Sequence, residues 1–186
     1  MSWDIFCELY QVGARYRNAH IGKCDKLPEH LIDEGIEWCK KPKSLPIHGS
    51  SRRGKTYLTY CLLREAMRLY GLHQIRWVKS KALDDQILQA FSQYGTTTDT
   101  IRKFSEINLL FIDDFGVDRG SERTERDYYE LIDNRWEHMK PTVITTNLTP
   151  EHIEKTYGSR IFSRLKDFKW ISFEGLPDLR GENQCR

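Results

Sequence analysis

The chain has 186 residues, of which 39% are hydrophobic and 30% are charged, and its formal net charge is +2. This composition fits one globular α/β domain with a full core, and so small a net charge neither requires nor excludes nucleic acid as a partner. No apolar run approaches membrane-spanning length and residues 1–4 lack a signal-peptide pattern, so no membrane association is expected. Five scattered cysteines without metal-ligand spacing favour a reducing, cytoplasmic location: Cys7, Cys24, Cys39, Cys61 and Cys185.

The hydrophobic pattern along the chain alternates between helical and strand-like segments. Helices, or a docking segment in the first case, are expected over residues 1–14, 28–38, 55–70, 81–94, 101–104, 128–136 and from 149 onward. Strands are expected over 45–47, 75–78, 109–112, 142–146 and 170–173, and a charged segment from Ser121 precedes the sixth helix. Alternation of this kind predicts a parallel five-stranded sheet with right-handed crossovers and helices on its faces.

A phosphate-binding loop lies between the first predicted strand and a helix. The stretch from Gly49 to Thr56 matches G-x-x-x-x-G-K-[ST] at every required position. In such a loop, backbone N–H groups surround phosphate oxygens, the lysine reaches the terminal phosphates and the hydroxyl ligates Mg²⁺. The alternative is a glycine-rich turn that binds nothing. The candidate ATP-binding residues are Gly49, Ser50, Ser51, Arg52, Arg53, Gly54, Lys55, Thr56 and Tyr57.

Two adjacent carboxylates end the buried strand about sixty residues further on. Asp113 is expected to hold Mg²⁺ together with Thr56, and Asp114 to polarise the attacking water. Acids after an apolar run also form simple turns with helix-cap character, which is the competing interpretation. The pairing with a complete phosphate loop favours the catalytic interpretation and predicts ATP and Mg²⁺ as cofactors.

Three further polar residues are candidates for catalysis. Asn147 follows the next strand, at the edge where open α/β sheets bind ligands, and its amide could orient the water, although a turn-forming asparagine is the alternative. Arg160 and Arg164 lie four residues apart on one helix face, where a guanidinium could stabilise developing phosphoryl charge or simply face solvent. Arg135 is a weaker candidate of the same kind.

Together these segments resemble the DnaC/IstB group of AAA+ ATPases, which comprises bacterial and phage helicase loaders and transposition helper ATPases. The resemblance covers roughly residues 14–175. Residues 15–19 look like the family segment beside the adenine, which adds Arg17 and Asn18 to the candidate nucleotide contacts. Residues 110–116 look like the second Walker motif, with Asp114 where many AAA+ proteins carry Glu, and residues 145–148 resemble the sensor 1 segment.

The resemblance also implies how the protein assembles. Residues 158–165 resemble the family's box VII, which implies Arg164 as an arginine finger acting on a neighbouring subunit of a homo-oligomer, with Arg160 as its partner. The implied organisation is a short N-terminal segment at 1–14, an AAA+ core at 15–175 without a C-terminal helical lid, and a tail at 176–186. Implied partners are a replicative DNA helicase and single-stranded DNA.

The chain departs from the family pattern at three points. Arg52 and Arg53 stand where the family has small residues, which could alter loop geometry or hydrolysis. Only 22 residues follow Arg164, and about fourteen precede the family segment, where helicase loaders carry a separate helicase-gripping domain. Helicase binding is therefore the implied property with the least support from the residues.

The basic and aromatic residues around the second core strand are candidates for DNA contact. Single-stranded DNA needs a basic groove with interleaved aromatic rings, whereas charge runs more often form solvated faces. The candidates are Arg76, Trp77, Lys79, Lys81, Tyr94, Arg102 and Lys103.

The expected function is ATP binding and hydrolysis in a helicase loader that self-assembles with ATP on single-stranded DNA. The alternatives are an IstB-like transposition helper ATPase and a non-hydrolysing, nucleotide-gated adaptor whose two loop arginines hamper turnover. A small-molecule kinase would leave Asn147 and the Arg160/Arg164 pair without a role.

Overall fold

One five-stranded sheet forms the centre of the protein. The computed structural model describes residues 2–24, 27–116 and 122–179. The strands are β1 (Leu45–His48), β2 (Ile75–Lys79), β3 (Leu109–Phe115), β4 (Thr142–Thr146) and β5 (Ile171–Ser172). They are all parallel and lie in the order β2-β3-β4-β1-β5. The α/β class and the parallel five-stranded sheet with flanking helices are thereby confirmed.

Eight α-helices accompany the sheet within the described residues. They are α1 (Trp3–Leu9), α2 (Ala14–Arg17), α3 (Glu29–Lys40), α4 (Lys55–Tyr70), α5 (Ser80–Tyr94), α6 (Thr98–Glu106), α7 (Glu122–Glu137) and α8 (Pro150–Leu165). Short 3-10 helices lie at Ile21–Lys23 and Leu72–Gln74. Ser121, Cys185 and the predicted tail beyond residue 179 lie outside the described residues.

The helix α8 is interrupted at Gly158, whereas the sequence predicts a helix from residue 149 onward without a break. Gly158 has φ 82° and ψ 159°, which breaks the helix before its last turns. A positive φ of this size favours glycine, whereas the nearby Glu125 carboxylate of α7, 2.7 Å from a Cβ built at this position, is the end of a flexible side chain that could move. The segment that carries Arg160 and Arg164 is therefore a separate short helix.

The continuous apolar run of β3 is explained by burial on both faces of the sheet. Leu109 and Phe111 pack into the cluster formed with α3 and α4, whereas Leu110 and Ile112 pack into the cluster formed with α5 to α8. Side chains alternate between the faces of a strand, so a strand covered on both sides must be apolar at every position. The carboxyl end of β3 lies between those of β2 and β4, at the edge of the sheet where the parallel strands end.

A buried arginine joins α7 to the lower edge of the sheet. The Arg135 side chain is 1% exposed, and its guanidinium lies within hydrogen-bond distance of five acceptors, three of which share Nη1. The acceptors are the Thr142 hydroxyl and the carbonyls of Phe104, Ser105, Ile107 and Pro141. Burial lowers the pKa of Arg135 to about 9, so it stays charged at neutral pH. The interpretation of Arg135 as an arginine finger is wrong, because its guanidinium is buried and bonded to acceptors of its own chain.

The N-terminal helix covers the edge strand β2. Tyr10 packs edge-on against Trp77 with ring centroids 6.4 Å apart, and Tyr60 of α4 stacks on the same indole at 5.5 Å. Trp77 is therefore only 8% exposed, and its interpretation as a DNA-stacking surface is wrong. Arg76 donates to the Tyr10 hydroxyl at 3.2 Å, which also ties this candidate to α1.

The other DNA-contact candidates lie at the surface. Lys79, Lys81, Arg102 and Lys103 are exposed, and Tyr94 is 76% exposed. Arg102 pairs with Asp99 at 2.9 Å and Lys81 with Asp85 at 4.0 Å within their own helices.

None of the helices in the described part of the chain has the length and apolar character to cross a membrane.

Candidate functional site

The loop between β1 and α4 is shaped by residues with positive φ. Gly49 has φ 134°, Arg52 has φ 65° and Gly54 has φ 106°. A Cβ on Gly49 would lie 2.8 Å from the Phe173 carbonyl carbon, so the first glycine is fixed by close backbone approach as well as by φ. The loop thus curls tightly ahead of the first turn of α4, where unpaired N–H groups favour anions.

Lys55 lies inside this curl. Its ammonium donates to the carbonyls of Gly49 at 2.6 Å and Ser50 at 2.9 Å, and to Asn147 Oδ1 at 2.7 Å. The residue is 6% exposed, and burial lowers the pKa of Lys55, opposed by the nearby carboxylates of Asp114 and Asp113. Asn147 is thereby brought within direct reach of the lysine that the sequence assigns to the terminal phosphates.

A β-bulge puts both carboxylates into the same cavity. Ile112 pairs with Ile144 and Phe115 with Thr146, so two residues of β3 face the single Thr145 of β4. Asp114, with φ 59°, is the residue that absorbs the extra length. Aspartate tolerates this left-handed conformation better than most residues. In a regular strand, adjacent side chains point to opposite faces, whereas here Asp113 and Asp114 both line the cavity.

The pair of Thr56 and Asp113 fits a magnesium ion held together with phosphates. The Thr56 hydroxyl donates to Asp113 Oδ1 at 3.3 Å, and the Thr145 hydroxyl donates to the same oxygen at 2.5 Å. Burial and the neighbouring Asp114 raise the pKa of Asp113 to about 6, against the effect of these two hydrogen bonds. Mg²⁺ accepts one or two protein oxygens and takes the rest from water and phosphate, so this donor set suits it. No cluster of three or more His, Cys, Asp or Glu suited to a metal occurs in the described ranges.

A cavity of about 740 Å³ connects these groups. The predicted site residues that line it are Ser51, Arg52, Gly54, Lys55, Thr56, Tyr57, Asp113, Asp114 and Asn147. The remaining loop residues do not line the cavity: Gly49, Ser50 and Arg53. The volume is sufficient for a nucleotide, whose triphosphate would face the loop.

The N-terminal segment contributes different residues from those predicted. Arg15 and Tyr16 line the cavity, whereas Arg17 and Asn18 do not. The Arg17 Nε donates to the Val12 carbonyl at 3.1 Å, which holds the turn between α1 and α2. Tyr16 stacks on Tyr60 with ring centroids 5.0 Å apart, so an aromatic wall faces the phosphate loop across the cavity.

A second segment, residues 173–179, runs across the outside of the phosphate loop, and we call it the strap. The Ser50 hydroxyl donates to Glu174 Oε2 at 3.0 Å, and the Leu179 N–H donates to the Arg52 carbonyl at 3.0 Å. Arg53 donates to the Leu176 carbonyl, and Arg52 lies 3.8 Å from Asp178. The two unusual loop arginines therefore bind the strap, which no sequence motif indicated.

The two arginines of the box VII-like segment pack against α7 and do not line the cavity of their own chain. The Arg164 Nε donates to Asp133 at 2.6 Å, and its guanidinium lies 4.4 Å from the Trp136 ring centroid. Arg160 lies 5.7 Å from the Tyr129 ring centroid. Both guanidiniums are thus separated from the acids of their own site.

The phosphate loop follows β1, the two acids lie on the bulge of β3, and Asn147 follows β4, which lies between these two strands. This arrangement defines a P-loop nucleotide-binding protein with the AAA+ order of strands. The chain belongs to the IstB-like ATP-binding protein family, whose profile matches residues 24–165.

Curated relatives agree with this class. The chain is 28% identical over 135 residues to the chromosomal replication initiator protein DnaA of Leifsonia xyli, covering 72% of this chain and 28% of that protein. It is 26% identical over 131 residues to a putative ATP-binding protein in an insertion sequence of Mycobacterium tuberculosis, covering 68% and 50%. The chain thus spans a quarter to a half of the length of these relatives.

Solved structures show the same fold at low identity. The DnaC helicase loader superposes with a TM-score of 0.76 at 19% identity, covering 86% of this chain and 99% of that one. DnaI superposes with a TM-score of 0.71 at 19% identity, covering 87% of this chain and 94% of that one. DnaA of Aquifex aeolicus bound to AMPPCP, an ATP analogue, superposes with a TM-score of 0.72 at 17% identity, covering 91% of this chain and 53% of that one.

Proposed function

We propose that this protein is a Mg²⁺-dependent ATPase that self-assembles through Arg164 and controls the assembly of a replicative helicase on single-stranded DNA. The observation that carries hydrolysis is the bulge, because it brings Asp114 into the cavity beside Lys55 and Asn147. Water activation needs an acid of this kind within reach of the terminal phosphate. This role implies a cytoplasmic location, where the protein has access to DNA.

In this proposal Arg164 completes the site of a neighbouring subunit. Its side chain does not line the cavity of its own chain and is 28% exposed, so it is accessible to a second copy. Its bond to Asp133 must open or be shared when the finger engages, so Asp133 holds the arginine ready in the free subunit. An arginine finger supplied in trans raises the turnover rate by about 10³–10⁵-fold.

The loader role is supported by the fold likeness to the DnaC helicase loader over almost the whole of that structure. A second candidate, a helper ATPase for transposition, is supported by the family match and by the relative described as belonging to an insertion sequence. Co-purification with the replicative helicase supports the first role, and co-purification with a transposase supports the second.

The first test is the ATPase rate per subunit against protein concentration, with and without single-stranded DNA. A rate that rises with both supports a site shared between subunits on DNA. A flat, near-zero rate despite tight ATP binding would contradict the ATPase proposal and favour a nucleotide-gated adaptor. Binding of ATP is measured in parallel with a fluorescent nucleotide, so that inactivity is not confused with failure to bind.

Complementation between two inactive variants tests the finger itself. Arg164→Ala and Asp114→Asn are each expected to bind ATP but to lose at least about 100-fold in turnover, because one lacks the finger and the other the acid. Mixed in equal amounts, they should regain about a quarter of wild-type turnover, since random assembly pairs an intact acid with an intact finger at that frequency.

The matched control for this mixture is Arg126→Ala, which removes an exposed arginine from α7. It should remain active alone and should not change when it is mixed with wild-type protein. Absence of recovery in the mixture of Arg164→Ala with Asp114→Asn, with both variants folded by thermal melting, would contradict a finger that acts in trans.

A further inference from the structure

The bulge in β3 is held by a single side chain on the neighbouring strand. The Thr145 hydroxyl accepts a hydrogen bond from the Asp114 N–H at 2.9 Å and donates one to Asp113 Oδ1 at 2.5 Å. A hydroxyl has one donor and two acceptor positions, so it can serve both acids at once. Thr145 is 1% exposed, and its hydroxyl is shielded from competing water.

Both contacts fix features that the reaction needs. Asp113 is 1% exposed, and its Oδ1 accepts hydrogen bonds from the hydroxyls of Thr56 and Thr145. The contact from Thr145 is 0.8 Å shorter than the 3.3 Å contact from Thr56, so Thr145 determines the carboxylate rotamer and Thr56 is free to turn toward a ligand. The bond to the Asp114 N–H stabilises the left-handed backbone that points this second carboxylate into the cavity.

We propose that Thr145 is a positioning residue that couples the metal-binding carboxylate of Asp113 to the water-activating carboxylate of Asp114. One hydroxyl sets both the rotamer of the first acid and the backbone of the second. Loss of this hydroxyl therefore weakens metal binding and catalysis together. The Thr145 hydroxyl bonds to Asp113 and Asp114 and not to the phosphate loop within the described residues, so the loop keeps its affinity for the nucleotide itself. This inference rests on the proposed ATPase function.

The test compares Thr145→Val, which keeps the shape and removes the hydroxyl, with Thr145→Ser, which keeps the hydroxyl. Binding of a fluorescent, non-hydrolysable ATP analogue is titrated with Mg²⁺, and separately measured in EDTA. For Thr145→Val, the Mg²⁺ concentration at half-maximal effect should rise at least about tenfold, the range known for residues that orient metal ligands. Binding in EDTA should stay within about twofold, because it depends on the loop.

Turnover gives a second, independent readout. For Thr145→Val at saturating Mg²⁺, kcat should fall at least about tenfold with little change in KM, because the water-activating acid is displaced while the nucleotide contacts persist. Thr145→Ser should restore both the Mg²⁺ dependence and kcat to within about threefold of wild type, since its hydroxyl can make the same two bonds.

Thr59→Val is the control for losing a buried hydroxyl. Thr59 is 0% exposed, and its hydroxyl donates to the Lys55 carbonyl one turn earlier in α4. This variant should keep the wild-type Mg²⁺ dependence. If Thr145→Val does not fold by thermal melting, Thr145→Ala takes its place in the comparison with Thr145→Ser.

Two results would overturn the role of Thr145. One is an unchanged Mg²⁺ dependence and kcat in the variant without the hydroxyl. The other is equal impairment in Thr145→Ser, which would assign the effect to packing. Failure of the proposed function is distinguishable from both, because the wild-type protein would then show no Mg²⁺-dependent nucleotide binding or turnover.

Discussion

Replacing Lys55 with alanine is expected to lower the affinity for ATP by at least about 100-fold, because hydrogen bonds to charged groups contribute about 1.5–3 kcal/mol each and this ammonium would serve two phosphates. In the structure it serves two loop carbonyls and Asn147 instead. Fluorescent-nucleotide titration in the presence of Mg²⁺ measures the loss.

Lys166→Ala is the control for removing one positive charge. Lys166 is exposed after the end of α8 and is not among the cavity-lining residues. Its substitution should leave ATP affinity within about twofold, since screening weakens exposed charges at a distance. Unchanged affinity in Lys55→Ala would contradict the assignment of the loop as the phosphate site, whatever the ATPase rate.

Replacing Arg135 with leucine is expected to destabilise the fold by at least about 3 kcal/mol, because each buried acceptor left without a donor costs about 1–3 kcal/mol. Five acceptors lose their donor at once, four of them backbone carbonyls near the ends of α6 and the start of β4. For a domain of this size the melting temperature should fall by roughly 10 °C or more. Chemical denaturation measures the free energy, and thermal melting the temperature.

Arg126→Leu makes the same substitution on the same helix at an exposed position. Its side chain is 70% exposed and lies 3.7 Å from Asp127, so the change should stay within about 1 kcal/mol. Equal stabilities for the two leucine variants would show that the buried guanidinium contributes no more than a surface charge.

The sheet and the central site could be predicted from sequence because both depend on local patterns. The phosphate loop is a contiguous motif, and the apolar run of β3 followed by two acids requires burial on both faces and a polar end. Asn147 followed from its position at a strand end, and the structure brings its amide to Lys55.

The remaining features depend on contacts between residues distant in sequence. The bulge at Asp114 arises from pairing with Thr145, so the sequence of β3 alone carries no sign of it. From the sequence, Arg135 and Trp77 were assigned to the surface. A single charged or amphipathic side chain gives no periodic pattern from which its burial could be predicted. Only the packing of α6, α7 and α1 shows that both are covered.

The strap gives the phosphate loop a partner far along the chain, and this has a thermodynamic consequence. Ser50, Arg52 and Arg53 are all bonded to residues 174–179, so any ligand that changes the loop conformation also changes the free energy of holding the strap in place. Such coupling is reciprocal. A partner that binds or displaces the strap would alter ATP affinity by the same factor by which ATP alters the binding of that partner.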